Sequence, residues 1–274
     1  MDNIKKLIVG GCSFTAGDEL SDWNGHQKNV GIIRPRSEKT WANNLQKILF
    51  RSAKLDNLAI SGSGYGSIVR RIIYQTERNL KLYKPEEIVV CVMWTSILRL
   101  EFPTIYPNGF KQKFLDDEEK FIFTLPYDGD NSTRWYANEK ARLERRSMLA
   151  NEHLVRTIIE FYTRRATVDN HIYYPLQQLE YLTSYLQAKG VNYYYTTAFN
   201  DLMTLTHRQP NIYYEDMLNR LNLPRLIHVE NDMGFWEYAK SNNYECGAKA
   251  DHPLDAAHVK WANLFKKWIL TKED

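Results

Sequence analysis

The stretch "GGCSFTAG", residues 10–17, follows a short apolar run close to the start of the chain. Its two leading glycines let the backbone bend sharply and bring little side-chain bulk near the hydroxyl of Ser13. A buried strand that ends in such a turn can present a serine as a nucleophile. An ordinary strand-to-helix turn has a similar composition, so the interpretation depends on what else the sequence places at this end of the strand.

Strand and helix patterns alternate along the rest of the chain. Apolar runs predict strands at 6–10, 54–60, 87–94 and 191–199, and a short fifth strand in "RLIHVEN", 225–231. Helical periodicity predicts helices at 40–50, 65–83, 176–190 and 255–270. This alternation predicts a three-layer α/β/α, flavodoxin-like fold, in which helices cover both faces of a parallel sheet of about five strands.

The alternation breaks between residues 101 and 151. This stretch contains prolines, the charge cluster "DDEEK" and aromatic residues that include Phe110, Phe121, Phe123, Tyr127, Trp135 and Tyr136. We predict an insertion after the third strand, which forms a lid or subdomain within a single domain spanning residues 1–274. Some of its rings could stack on a flat or sugar-like ligand.

Composition excludes several classes of protein. A formal net charge of +3, without a basic stripe, argues against a nucleic-acid partner. No stretch approaches the roughly 18 apolar residues of a membrane span, and the apolar run near residue 1 is too short for a secretory leader. The three cysteines are odd in number and widely spaced, which argues against a disulfide framework. We therefore expect a cytoplasmic protein, and its Tyr- and Asn-rich sequence leaves a phage origin open.

Candidate functional residues follow the predicted strands. Ser13 follows the first strand, Gly62 the second and Thr95 the third, while Asp255 and His258 open the last helix. Ligands of open α/β sheets bind beyond the carboxyl ends of the strands, so these residues are candidates for one site. Side chains three positions apart share a helix face, and an aspartate there can orient a histidine that accepts a serine proton.

This constellation resembles the SGNH, or GDSL-like, hydrolase superfamily. The family's first block, Gly-Asp-Ser-x-(Ser/Thr)-x-Gly, is similar to Gly-Cys-Ser-Phe-Thr-Ala-Gly at 11–17. Its second block contributes a glycine, which Gly62 matches within "NLAISGSG". Its last block, Asp-x-x-His, is similar to Asp-Ala-Ala-His at 255–258.

The resemblance implies a serine esterase that needs no cofactor or metal. In it, His258 takes the proton of Ser13, Asp255 orients His258, and an acyl-serine forms that water hydrolyses. The implied oxyanion hole comprises the backbone N–H groups of Ser13 and Gly62 and an asparagine amide. The block that supplies this asparagine is missing, and Thr95 takes its place. The expected substrate is a small-molecule or carbohydrate ester, such as a small O-acyl group on a sugar.

Other interpretations remain open from the sequence. The altered third block is compatible with a non-catalytic binding module of the same fold. The segment "GSGYG", 62–66, is a weak match to a nucleotide-binding loop. Cys12 stands where the family has aspartate, and a thiolate at a helix start could itself be the nucleophile. Cys246, Asp251 and His252 lie close together in sequence, as in a corner of a metal site.

Overall fold

The computed structural model describes residues 3–22, 37–97, 99, 101–103, 111–114, 117–123, 168–201, 225–227 and 233–273. Its strands are β1 Lys6–Gly10, β2 Lys54–Asn57, β3 Ile88–Trp94, β4 Glu101–Pro103, β5 Lys111–Phe114, β6 Asp117–Phe123 and β7 Asn192–Thr197. Its helices are α1 Ser13–Ala16, α2 Trp41–Ile48, α3 Tyr65–Leu80, α4 Val168–Ala188, α5 Phe235–Ser241 and α6 Asp255–Glu273, with a 3₁₀ turn at Pro85–Glu87. Within these ranges, no helix is both long and apolar enough to cross a bilayer.

Four strands form a parallel sheet in the order β2-β1-β3-β7. Of the predicted fifth strand, residues 225–227 are described, and there one parallel bridge joins Leu226 to Tyr195. There the Tyr195 N–H donates to the carbonyl of Arg225 at 2.7 Å, and the Ile227 N–H donates to the carbonyl of Tyr195 at 2.8 Å. The predicted parallel α/β architecture is confirmed, and the described residues supply four of its strands where about five are predicted.

Helices cover both faces of the sheet. One core joins Val90 and Val92 of β3 to apolar residues of α3 and α4. The other joins Val89 and Cys91 of β3 to apolar residues of α2, α5 and α6. Because side chains alternate between the faces of a strand, β3 must be apolar throughout, which explains the continuous apolar run in its sequence. The three layers are therefore α3 and α4, the sheet, and α2 with α5 and α6.

The start of the predicted insertion forms a second, antiparallel sheet in the order β4-β6-β5. Residues 124–151, which include Tyr127, Trp135 and Tyr136, lie outside the described residues. The prediction that residues 101–151 form a lid or subdomain of a single domain therefore stays a prediction.

Candidate active site

Ser13 is the first residue of α1, directly beyond the carboxyl end of β1. The backbone around it requires glycine at two positions. A Cβ on Gly11 would lie 2.6 Å from the Cβ of Thr15. Gly17 has a φ of 85°, a left-handed conformation that favours glycine, and its N–H donates to the carbonyl of Ser13 at 2.8 Å. The helix is thus one short turn, after which the chain reverses toward Glu19.

The Ser13 side chain faces His252. Ser13 Oγ lies 2.8 Å from His252 Nε2, and His252 Nδ1 lies 2.7 Å from Glu19 Oε2. An imidazole protonated at Nδ1 donates to the carboxylate and leaves the Nε2 lone pair to accept the serine proton. Ser13 is 4% exposed and His252 is 9% exposed, so these contacts are largely shielded from water. The hydroxyl, imidazole and carboxylate thus follow one another in the order that a catalytic triad requires.

Glu19 is held firmly in this position. Its carboxylate accepts the backbone N–H groups of Lys249 at 2.9 Å and Ala250 at 3.1 Å, besides the contact with the His252 ring. Burial raises the pKa of Glu19, but the hydrogen bonds from His252 and from the backbone outweigh it and hold that pKa below its usual range. The acid therefore stays ionised and can stabilise an imidazolium. Glu19 has a φ of 70°, which is uncommon for a residue other than glycine.

His252 lies in a compact loop before α6. The Gly247 N–H donates to the carbonyl of His252 at 2.8 Å, and the Leu254 N–H donates to the carbonyl of Glu245 at 3.0 Å. The ring also packs edge-on against Phe14, with centroids 5.0 Å apart and planes at 87°. These contacts fix the imidazole in a single orientation toward Ser13.

His258 does not face Ser13, contrary to the expectation from the sequence. Its Nδ1 accepts the backbone N–H of Trp41 at 2.9 Å, and the residue is 1% exposed. Trp41 is the first residue of α2, whose early N–H groups have no partner within the helix. Burial lowers the pKa of His258 to about 3, so the ring is neutral and its lone pair caps α2.

Asp255 also has other partners. Its carboxylate accepts the backbone N–H of Ser21 at 3.1 Å, the Ser21 hydroxyl at 2.6 Å and the Lys39 ammonium at 2.8 Å. Burial raises the pKa of Asp255, but the bonds from Lys39 and Ser21 exceed this effect and lower it to about 2. Among the described residues, neither oxygen hydrogen-bonds to His258. The expected Ser13–His258–Asp255 arrangement is therefore not the one that the structure brings together.

The other expected site residues lie at the same edge of the sheet. Within the described ranges, the N–H groups of Ser13 and Gly62 donate no hydrogen bond, and the buried Thr95 hydroxyl has no partner. Gly62 has a φ of 84°, in a turn whose Ile60 N–H donates to the carbonyl of Gly11 at 3.3 Å. Three unused donors thus lie in the loops that follow β1, β2 and β3.

Few features of the sequence point to His252 and Glu19 as site residues. Pro253 disfavours a helical backbone at His252, which keeps that residue in the loop before α6. The sequence suggests His252 only as a corner of a metal site, yet its two ring nitrogens contact Ser13 and Glu19. For Glu19 no local signal exists, because its position depends on the left-handed turn at Gly17.

No protein-family model matches the chain, and no curated protein matches it in sequence. Several solved structures resemble it over nearly its whole length. A member of the lipolytic protein G-D-S-L family from Veillonella parvula is 10% identical, with a TM-score of 0.43 and 97% of both chains covered. The esterase EstA from Pseudoalteromonas sp. is 13% identical, with a TM-score of 0.46 and 97% and 98% covered. The acetylxylan esterase Axe2 from Geobacillus stearothermophilus is 14% identical, with a TM-score of 0.43 and 98% and 96% covered. At such TM-scores, a functional assignment depends on the residues of the site itself.

Proposed function

We propose that this protein is a serine esterase whose triad is Ser13, His252 and Glu19. The observation that carries the proposal is the continuous pair of contacts from Ser13 Oγ through both ring nitrogens of His252 to Glu19, at 2.8 and 2.7 Å. A serine at a helix start is common. A buried serine on the base nitrogen of a histidine, with an ionised carboxylate on its other nitrogen, is what nucleophilic catalysis requires.

The reaction is an acyl transfer in two steps. Ser13 Oγ attacks the ester carbonyl carbon while His252 Nε2 takes the serine proton, and Glu19 stabilises the resulting imidazolium. His252 then returns that proton to the leaving alcohol oxygen as the ester C–O bond breaks, which leaves an acyl-serine. A water molecule attacks the acyl carbon with His252 again as base, and the acid product leaves Ser13 free.

The oxyanion hole uses donors that the fold leaves unused. The backbone N–H groups of Ser13 and Gly62 are two, and the Thr95 hydroxyl is the third, in place of the asparagine of the resembled family. Removing one such donor typically costs about 10²–10³ in kcat, so three donors are a large part of the catalytic effect. The presence of all three donors favours an enzyme over a non-catalytic binding module.

The proposed substrate is an ester with a small acyl group, carried by a sugar or another small alcohol. Support for this class comes from the aromatic residues of the 101–151 segment. A series of 4-nitrophenyl esters of increasing acyl length measures the acyl preference. We expect kcat/KM to be highest for the shortest acyl groups.

The nucleophile is tested by labelling with a fluorophosphonate probe and by hydrolysis of 4-nitrophenyl acetate. Ser13→Ala should abolish both, because it removes the hydroxyl that attacks the ester and the probe, while the circular dichroism spectrum stays unchanged. Cys12→Ala is the matched control, since Cys12 is the neighbouring residue and is fully buried. Loss of turnover in Cys12→Ala with retention in Ser13→Ala would assign the chemistry to the thiol instead.

A further inference from the structure

Buried hydrogen-bonding groups without partners gather near the carboxyl end of β3. Within the described part of the chain, no partner exists for Tyr65 Oη, Trp94 Nε1, Thr95 Oγ1 or the Nε and Nη1 atoms of Arg99. The rings of Tyr65 and Trp94 stack, with centroids 4.9 Å apart and planes at 11°. Arg99 lies in the turn that follows, where its N–H donates to the carbonyl of Ser96 at 3.2 Å.

These groups are mainly donors. The indole of Trp94 and the guanidinium of Arg99 can only donate. Burial raises the pKa of Tyr65 well above its ordinary value, so its hydroxyl also keeps its proton. Buried donors are normally satisfied, because leaving them unpaired costs the free energy of their lost hydration. A ligand with acceptor oxygens would satisfy them.

Arg99 adds a charge to this requirement. Its guanidinium is always protonated, and the residue is only 8% exposed. A buried cation is costly unless an anion pairs with it. One guanidinium supplies a single positive charge, which matches a carboxylate better than a phosphate monoester carrying about two negative charges.

We propose that Arg99 binds a carboxylate on the substrate, so that the preferred substrates are esters that carry an acidic group. This inference rests on the proposed esterase function and specifies its substrate class. Thr95 and Arg99 both follow β3, so the acidic group is held at the same sheet edge as Ser13. Arg99 is a specificity-determining residue, separate from the atoms that transfer the acyl group.

The test uses two ester pairs that differ in charge: 3- and 4-acetoxybenzoate and the corresponding neutral acetoxybenzamides. For at least one isomer, wild type should hydrolyse the anion with a kcat/KM about 10- to 100-fold above that of the amide, the range expected for a hydrogen bond to a charged group. Arg99→Gln should bring this ratio close to one. A ratio near one in wild type for both isomers, or an unchanged ratio in Arg99→Gln, would overturn the proposal.

Equilibrium binding separates this inference from the esterase proposal. Ser13→Ala should bind the same acetoxybenzoate more tightly than its amide by calorimetry, and the double variant with Arg99→Gln should not. If wild type hydrolyses none of these acetates, yet this binding difference persists, the esterase proposal fails and the Arg99 site stands. If Arg99→Gln does not fold, Arg99→Lys is measured instead. Its compact ammonium should raise KM for the anion several-fold. An unchanged KM would overturn the proposal.

Discussion

His252 and His258 are six residues apart, yet their imidazoles have opposite environments. His252 contacts a hydroxyl and a carboxylate, whereas the Nδ1 of His258 accepts a backbone N–H at the start of α2. Only the first arrangement can move a proton to and from a substrate. The residue that was expected to act as base is therefore expected to affect stability instead.

Substitution of each histidine separates these roles. His252→Gln removes the base, and we expect kcat for 4-nitrophenyl acetate to fall by about 10²–10⁴, the usual contribution of general base catalysis. His258→Asn keeps an acceptor at the δ position and should retain kcat within a few-fold. Steady-state kinetics on both variants, with circular dichroism to confirm folding, give the comparison. The reverse pattern would restore the Asp255–His258 pair as the catalytic one.

Thr95 is the second residue whose role can be measured directly. Thr95→Val keeps the shape of the side chain and deletes its donor. Because the oxyanion exists only in the transition state, kcat should fall about 10- to 10³-fold with little change in KM. Thr95→Ser, which keeps the hydroxyl, is the control and should retain most of kcat. Unchanged turnover in Thr95→Val would make Thr95 a packing residue and leave the hole to backbone N–H groups.

At the scale of elements, the loop from Glu245 to Leu254 positions both His252 and Glu19, the proposed base and acid. It carries His252, and its backbone N–H groups bind Glu19. A Cβ on Gly247 would lie 2.6 Å from both oxygens of the Glu19 carboxylate. The close approach of loop and acid therefore requires a glycine at this position.

Gly247→Ala tests whether this approach matters for catalysis. The added methyl should displace the Glu19 carboxylate from His252, so we expect kcat to fall at least about tenfold, toward the loss seen when a triad acid is disabled. KM should change little, because Glu19 does not contact the ester. Ala248→Ser, at the neighbouring exposed position, is the control. Wild-type kcat in Gly247→Ala would argue against Glu19 as the acid of the triad.

At the scale of the whole molecule, local patterns predicted the fold and much less of the site. The apolar run of β3 and the alternation of strands and helices depend on residues near one another, so periodicity located them. Topology then placed Ser13, Gly62 and Thr95 at one edge of the sheet. The contact between Glu19 and His252 joins residues 233 positions apart. It depends on the left-handed turn at Gly17, which hydrophobic periodicity does not predict. The Asp-x-x-His motif at 255–258 points to a different pair, because its aspartate binds Lys39 and its histidine caps α2.

The neutral, buried His258 couples the stability of the whole fold to pH. Burial lowers its pKa to about 3 from the ordinary 6.5; the negative charge of Asp255 partly opposes this shift, and His252 adds to it. The unfolded chain therefore binds a proton below pH 6.5 that the folded chain does not bind until about pH 3. Stability from this residue is fully present above pH 6.5 and falls as the pH drops, by about 3 kcal/mol between pH 7 and pH 4.

Urea denaturation across this pH range measures that loss. Wild type should lose free energy of unfolding steeply below pH 6.5, whereas His258→Asn, which caps α2 without titrating, should lose about 3 kcal/mol less by pH 4. His258→Ala also removes the titration, but it leaves the Trp41 N–H unpaired and should be less stable than His258→Asn at pH 7 by about 1–3 kcal/mol. Equal pH slopes in wild type and His258→Asn would show that His258 is protonated in the folded protein, and its role as a neutral cap would be wrong.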